Sequence, residues 1–166
     1  SVVVFRNISQ LRELSKRQEY LERYDNLTGL LNRYEFEQRL SKVLVDSNHY
    51  GYNSTLCYLD VDQFRVLNDT CGHAAGDECL RQVTQVIKQK IRRDDVLSRF
   101  GSDEFALLLS DCPLDKAKKV AEIIRKDVED FRFSWKEKEY AMSISVGLVP
   151  LTKEIKDVSM ALMTAD

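Results

Sequence analysis

The sequence predicts an α/β sandwich of two or three layers, with a mixed, mainly antiparallel central sheet covered by helices. Three observations predict it. Short apolar strands alternate with amphipathic helical stretches. Two strands, Val96–Phe100 and Phe105–Leu109, are joined by a tight turn at Gly101-Ser102-Asp103. A second hairpin is expected from Phe131–Trp135 and Tyr140–Val149, around polar residues Lys136 to Lys138. With 166 residues, 43% hydrophobic and 31% charged, the chain has the size and apolar mass of one soluble domain.

Taken in order, Ser1-Val-Val-Val-Phe5 reads as the end of an upstream strand, and the chain as a piece that stops within a helix at Asp166. Leu11, Leu14, Gln18 and Leu21 follow a 3-4-3 spacing. That spacing suits a short coiled coil or a solvated connector with one apolar stripe. Asn32 can cap the next helix, with Glu35 three residues on to return the bond, and Phe36, Leu40, Val43 and Leu44 give it an apolar face. Thr55–Val61 is an apolar strand that ends in acids. Residues from about Ala74 to Ile91 form an amphipathic helix with Leu80, Val83, Val86 and Ile87 on its buried side. Pro113 opens a helix running to about Phe131, and a last helix begins near Ile155.

A formal net charge of -2 gives no general attraction to nucleic acid or anionic lipid, so no nucleic-acid partner is expected. Cys57, Cys71, Cys79 and Cys112 form no C-x-x-C pair and read as reduced thiols, mostly buried. No apolar run approaches membrane-spanning length.

The chemistry lies in the acids. Asp60 and Asp62 end the first strand, and Asp103-Glu104 sit on the hairpin turn. If those strands are neighbours, both acidic ends meet at one edge. Close carboxylates repel unless a cation lies between them, and a hard divalent ion arriving with phosphates satisfies that need. On composition alone, turn and capping roles for the same acids are the stronger reading.

Five ordered motifs lift this ambiguity. Asp25-Asn-Leu-Thr-Gly-Leu-Leu-Asn-Arg33, Leu59-Asp-Val-Asp-Gln-Phe-Arg-Val-Leu-Asn-Asp69, Gly72-His-Ala-Ala-Gly-Asp77, Arg99-Phe-Gly-Ser-Asp-Glu-Phe105 and Ser145-Val-Gly147 stand at consistent spacing. Together they resemble the GGDEF family of nucleotidyl-cyclase-like domains over residues 25–166, leaving 1–24 as strand and linker. The resemblance implies that Asp60, the Val61 carbonyl and Asp103 hold Mg²⁺ or Mn²⁺ against a triphosphate. It places Phe64 and Arg65 at the phosphates, Asn68 and Asp77 on guanine, and Glu104 as a second acidic residue of the site. A carboxylate can accept from guanine N1 and N2, and an amide can pair with the purine acceptors. Asp62 and Asp69 are open to capping or pairing with Arg33, and His73 to bracing the turn before its helix.

The resemblance also implies a reaction: two domains, each holding one GTP, meet face to face and make cyclic di-GMP with release of pyrophosphate. Arg92-x-x-Asp95 resembles the family's product-binding inhibitory site, and fits a surface helix terminus as well. Three features depart from the family. Ser102 stands where the signature has its second glycine, and its Cβ is expected to be strained if the turn needs a positive φ. Arg65 replaces the usual lysine, a planar fork in place of a compact charge. The chain ends before the lysine and arginine of the family's last helix, so weak turnover is expected of the fragment alone. A degenerate module that binds GTP or cyclic di-GMP and tunes an adjacent phosphodiesterase is therefore a second reading. Expected context is an upstream PAS-type sensor, pairing of two chains through the linker helix, a downstream EAL domain, and a cytoplasmic location in a parent that is open to membrane anchoring.

Overall fold

The computed structural model describes residues 2–50 and 53–165, the side chains of 48–50 apart. Its elements run α1 (Val2–Arg23), α2 (Arg33–Tyr50), β1 (Ser54–Val61), α3 (Phe64–Cys71), α4 (His73–Lys88), β2 (Val96–Arg99) and β3 (Glu104–Leu109), then α5 (Leu114–Asp130), β4 (Arg132–Trp135), β5 (Lys138–Ala141), β6 (Ile144–Leu151) and α6 (Val158–Ala165). Four strands form one sheet in the order β2-β3-β1-β6. Each of its ladders is antiparallel.

The period-two alternation of the strands sorts two cores. Cys57, Leu59, Val61, Phe105, Leu107 and Leu109 face α4 and α5, among Cys79, Leu80, Val83, Ile124 and Val128. Leu56, Ala106, Leu108, Val149 and Leu151 face α2 and α6, among Phe36, Leu40 and Leu162. The sheet is thus the middle of three layers, with β1 and β3 buried on both faces, which explains their nearly unbroken apolar runs.

The first expected strand is a helix. Val2–Phe5 belong to α1, which buries none of its residues. Val4 lies seven residues before Leu11, so the apolar spacing read from Leu11 onward simply continues backward, and no described strand pairs with this segment. Ser1 and Asp166, the two ends named in the sequence reading, lie outside the described residues.

Two other boundaries move. Tyr140–Val149 is not one strand: β5 pairs with β4, and β6 pairs with β1. The break falls at Met142-Ser143, where Met142 is buried and the Ser143 carbonyl accepts from the Asp62 amide at 2.9 Å. The last helix starts at Val158, three residues past the expected Ile155, and the Met160 amide bonds the Asp157 carboxylate at 2.8 Å.

Asn32 caps α2 as expected, accepting from the Glu35 amide at 3.0 Å. The return bond is not made, because the Asn32 amide already donates to the Arg23 carbonyl and Glu35 turns to Arg39. Asp25 closes the turn after α1, accepting from the Thr28 amide and hydroxyl at 2.8 and 2.6 Å. Gly29 follows at φ 73°, a conformation that glycine adopts without penalty. The four cysteines are free, three of them buried, and burial pushes the Cys57 thiol up to about 12.

Candidate functional site

β1 and β3 bring the two acidic segments to one edge of the sheet. Asp60 is the direct cross-strand partner of Glu104. The Val61 amide donates to the Asp103 carbonyl at 3.0 Å, which locks the signature turn beside the end of β1. The Asp60 carboxyl is pushed up to about 6, first by desolvation, then by the charge and hydrogen bonding of Asp103, with Glu104 and Asp62 adding to it. The carboxylates therefore crowd each other, as expected from the sequence. Among the described residues no three or more His, Cys, Asp or Glu side chains converge as a ready cation cage.

Asp62 is drawn off this cluster. Its carboxylate accepts from the Ser143 hydroxyl at 2.7 Å and the Ser145 hydroxyl at 2.6 Å, both on the β6 side. Arg33, the other partner considered for it, pairs instead with Glu37 and lies over the Phe100 ring at 5.1 Å. The grip on Asp62 fixes the entry to the next turn, where Gln63 sits in the left-handed region at φ 56°. A non-glycine residue there costs on the order of 1 kcal/mol and persists only where its surroundings hold it.

That turn opens α3, a helix not anticipated from the sequence. Its first turn holds no acid and has no side-chain cap, so helix-end amides around Phe64 and Arg65 face outward with partial positive charge. Phe64 is buried and anchors the helix, while Arg65 is exposed. Asn68, one turn further, has a buried Oδ1 with no hydrogen-bond partner among the described residues. Gly76 of α4 lies against that oxygen, and Asp77, exposed, follows directly. The α3–α4 pair thus brings Asn68 beside the start of α4, with Asp77 the next residue after the contact. Asp69 and His73 are exposed.

On the other side, Arg99 connects the turn after α1 to the signature hairpin. Its guanidinium donates to both Asp25 carboxylate oxygens at 3.1 and 3.3 Å and to the Ser102 carbonyl at 3.0 Å. Ser102 is not among the residues of positive φ, so the strain expected at that position is absent. Its hydroxyl donates to Asp103 Oδ1 at 3.2 Å. Three contacts were missed in the sequence: the serine grip on Asp62, the Arg99 bridge, and a Tyr58 hydroxyl that donates to Glu104 Oε2 at 2.7 Å. The last was accessible, since Tyr58 precedes Asp60 by two residues and must share its face.

Arg92 and Asp95 lie at the far end of β2 from this cluster. The Asp95 side chain is 2% exposed and accepts from the Arg92 amide at 2.8 Å, and its Oδ1 lies 3.3 Å from the Arg92 guanidinium. Arg92 also donates to the Ser110 carbonyl. With Arg39, Lys88 and Arg93 they border a cavity of about 430 Å³.

A three-layer antiparallel sandwich with acids at the sheet edge and uncapped helix amides beside them defines a nucleotidyl-cyclase-like domain. Residues 22–166 match the GGDEF domain of diguanylate cyclases, and the chain belongs to that family. It is 33% identical over all 166 residues to the probable diguanylate cyclase DgcE of Escherichia coli, spanning 15% of that protein. It is 32% identical over 151 residues to the cyclic di-GMP phosphodiesterase PdeB of Shewanella oneidensis, with 89% of this chain and 17% of that protein matched. The coiled coil and GGDEF domain of DgcB from Caulobacter crescentus, solved with c-di-GMP, superposes with a TM-score of 0.86 at 25% identity, covering 99% of this chain and 87% of that one. The chain thus spans a minor part of the curated relatives named. No described helix is long and apolar enough to cross a membrane.

Proposed function

We propose that this chain is the GTP-holding domain of a diguanylate cyclase, two copies of which condense two GTP into cyclic di-GMP. The observation that carries the proposal is the meeting of Asp60, Asp103 and Glu104 at one sheet edge, with Asp60 raised to about 6 by desolvation first and by the neighbouring acids next. Such a site is unsatisfied until positive charge enters it. The donor set fits a hard divalent ion: two carboxylates, with the Val61 carbonyl and phosphate oxygens as further hard donors. When bound, Mg²⁺ or Mn²⁺ would neutralise the triphosphate.

The chain's own groups supply the rest. The α3 amides near Phe64 and the Arg65 guanidinium receive phosphate oxygens. Asn68 offers its unpartnered oxygen to a guanine donor, and Asp77 accepts from guanine N1 and N2. The 3′-oxygen of one nucleotide forms a bond to the α-phosphorus of the other, the α–β bridging bond breaks, and pyrophosphate leaves. The hydroxyl proton passes to solvent or a site carboxylate, and the reverse attack closes the ring. Alignment is the main requirement, and a misplacement of about 1 Å costs roughly a hundredfold. The exposed Val4, Leu11, Leu14 and Leu21 stripe on α1 supports pairing of two chains through that helix. An upstream sensor and a cytoplasmic location fit this reading.

A second reading is a regulatory module that binds nucleotide without turnover, beside a phosphodiesterase domain. Ser102 and the similarity to PdeB favour it. The parent protein incubated with GTP and Mg²⁺, with products resolved by chromatography, decides between them. Cyclic di-GMP formation is expected; intact GTP beside measurable GTP binding would leave only the module. Product control through Arg92 and Asp95 is part of the proposal, and Arg92→Ala should relieve inhibition by added cyclic di-GMP. Unchanged inhibition would make the pair a helix-end brace.

A further inference from the structure

We infer that Tyr58 is a positioning residue for Glu104, an inference that rests on the reading of the acidic edge as a metal and nucleotide site. Tyr58 and Asp60 share one face of β1, and Glu104 stands directly across from Asp60. Tyr58 itself faces Ala106, so it reaches Glu104 diagonally across the ladder, a distance that only a long side chain spans. Its hydroxyl does so, donating to Oε2 at 2.7 Å.

The ring is not free to carry that hydroxyl elsewhere. Phe100 meets it edge-on with centroids 5.8 Å apart, and Phe100 is itself held by Phe36 at 5.3 Å and covered by Arg33. Glu104 is also confined by the signature turn. A Cβ on Gly101 would stand 3.1 Å from Oε2, so the glycine leaves room for the carboxylate where it lies. Tyr58 and the turn together hold Oε2. Without the hydroxyl, Glu104 swings through its rotamers at an edge that it shares with the acids Asp60 and Asp103.

Loss of one hydrogen bond to a charged group corresponds to roughly a tenfold change at most sites. In the full-length protein, Tyr58→Phe keeps the ring against Phe100 and removes only the hydroxyl. The Mg²⁺ concentration needed for half-maximal GTP binding is expected to rise about tenfold, with GTP affinity at saturating Mg²⁺ unchanged. On a Glu104→Ala background the same substitution should change nothing further, because Tyr58 acts through Glu104. An unchanged Mg²⁺ requirement in Tyr58→Phe, or an equal shift with Glu104 already removed, overturns the positioning role alone. A wild-type protein that binds no GTP with Mg²⁺ overturns the site reading, and this inference with it.

Discussion

Asn68 Oδ1 occupies the space that a side chain on Gly76 would need. A Cβ built at Gly76 overlaps that oxygen and stands 3.1 Å from Phe64 Cζ. Gly76, the second glycine of the Gly72–Asp77 element, is therefore a matter of close approach between α3 and α4, not of backbone conformation, since among the described glycines only Gly29 and Gly72 have positive φ. Under the proposed function that unpartnered buried oxygen is the one that would meet guanine.

Gly76→Ala should accordingly push Asn68 aside. Overpacking of this kind costs about 1–3 kcal/mol of stability. GTP affinity is expected to fall by more than tenfold while metal-dependent binding of inorganic triphosphate is kept. Thermal unfolding and calorimetry with both ligands test it. Equal loss of both would mean that the helix pair, and not Asn68, had moved.

The raised Asp60 carboxyl makes a pH prediction of definite sign. Between its ordinary value of 3.8 and about 6 Asp60 is more often protonated in the folded chain than in the unfolded one. The stability that Asp60 contributes therefore falls as pH rises through that window and levels off above about 6, against the opposite slope of carboxyls held low, such as Glu78. Protons also compete with a cation for the same oxygen, so apparent Mg²⁺ affinity should climb with pH and flatten beyond about 6. Asp60→Asn should remove both trends. Denaturant midpoints from about pH 4 to pH 7, with and without Mg²⁺, measure them. A metal-free midpoint that does not fall relative to that of Asp60→Asn as pH rises across the window would contradict the raised Asp60 carboxyl.

Much of this was legible beforehand, for identifiable reasons. The buried strands β1 and β3 advertised themselves as apolar runs, and the acids at their ends needed only strand adjacency to meet. What could not be read depended on partners distant in sequence. Ser143 and Ser145 hold Asp62 across more than 80 residues, and nothing in Tyr140–Val149 marks the place where the chain leaves one sheet for the other. Val2–Phe5 misled for the opposite reason. A β-branched run signals a strand only where a ladder exists to receive it, and here the helical period of α1 prevails.

Arg99 is expected to be the stability-bearing link between the α1 turn and the signature hairpin. Its side chain is 16% exposed and that of Asp25 is 20% exposed, so the pair is shielded enough to exceed the value of a surface bridge. Arg99→Ala should cost about 1–3 kcal/mol by urea unfolding, because Asp25 keeps its Thr28 bonds but loses its counter-charge. Arg99→Lys should recover only part, since one ammonium cannot serve Asp25 and the Ser102 carbonyl as a fork does. Full recovery by lysine would reduce the link to simple charge.

Ser102 needs a revised account. Strain at a positive φ was the expected handicap, and the residue has an ordinary backbone with its hydroxyl on Asp103 Oδ1. Replacement by glycine should therefore bring no gain in stability beyond about 0.5 kcal/mol, the usual range for surface changes. At the proposed metal site the hydroxyl would compete with a cation for a carboxylate oxygen, and removing it should lower the Mg²⁺ needed for half-maximal GTP binding by about two- to fivefold, the scale of one weak hydrogen bond. Ser102→Ala and Ser102→Gly separate the two features of the side chain, because alanine keeps the Cβ and loses the hydroxyl. Equal shifts in Mg²⁺ requirement for both variants are expected. A shift confined to glycine would assign the effect to the Cβ packing against nucleotide, and a glycine variant stabilised by about 1 kcal/mol would restore the strain account.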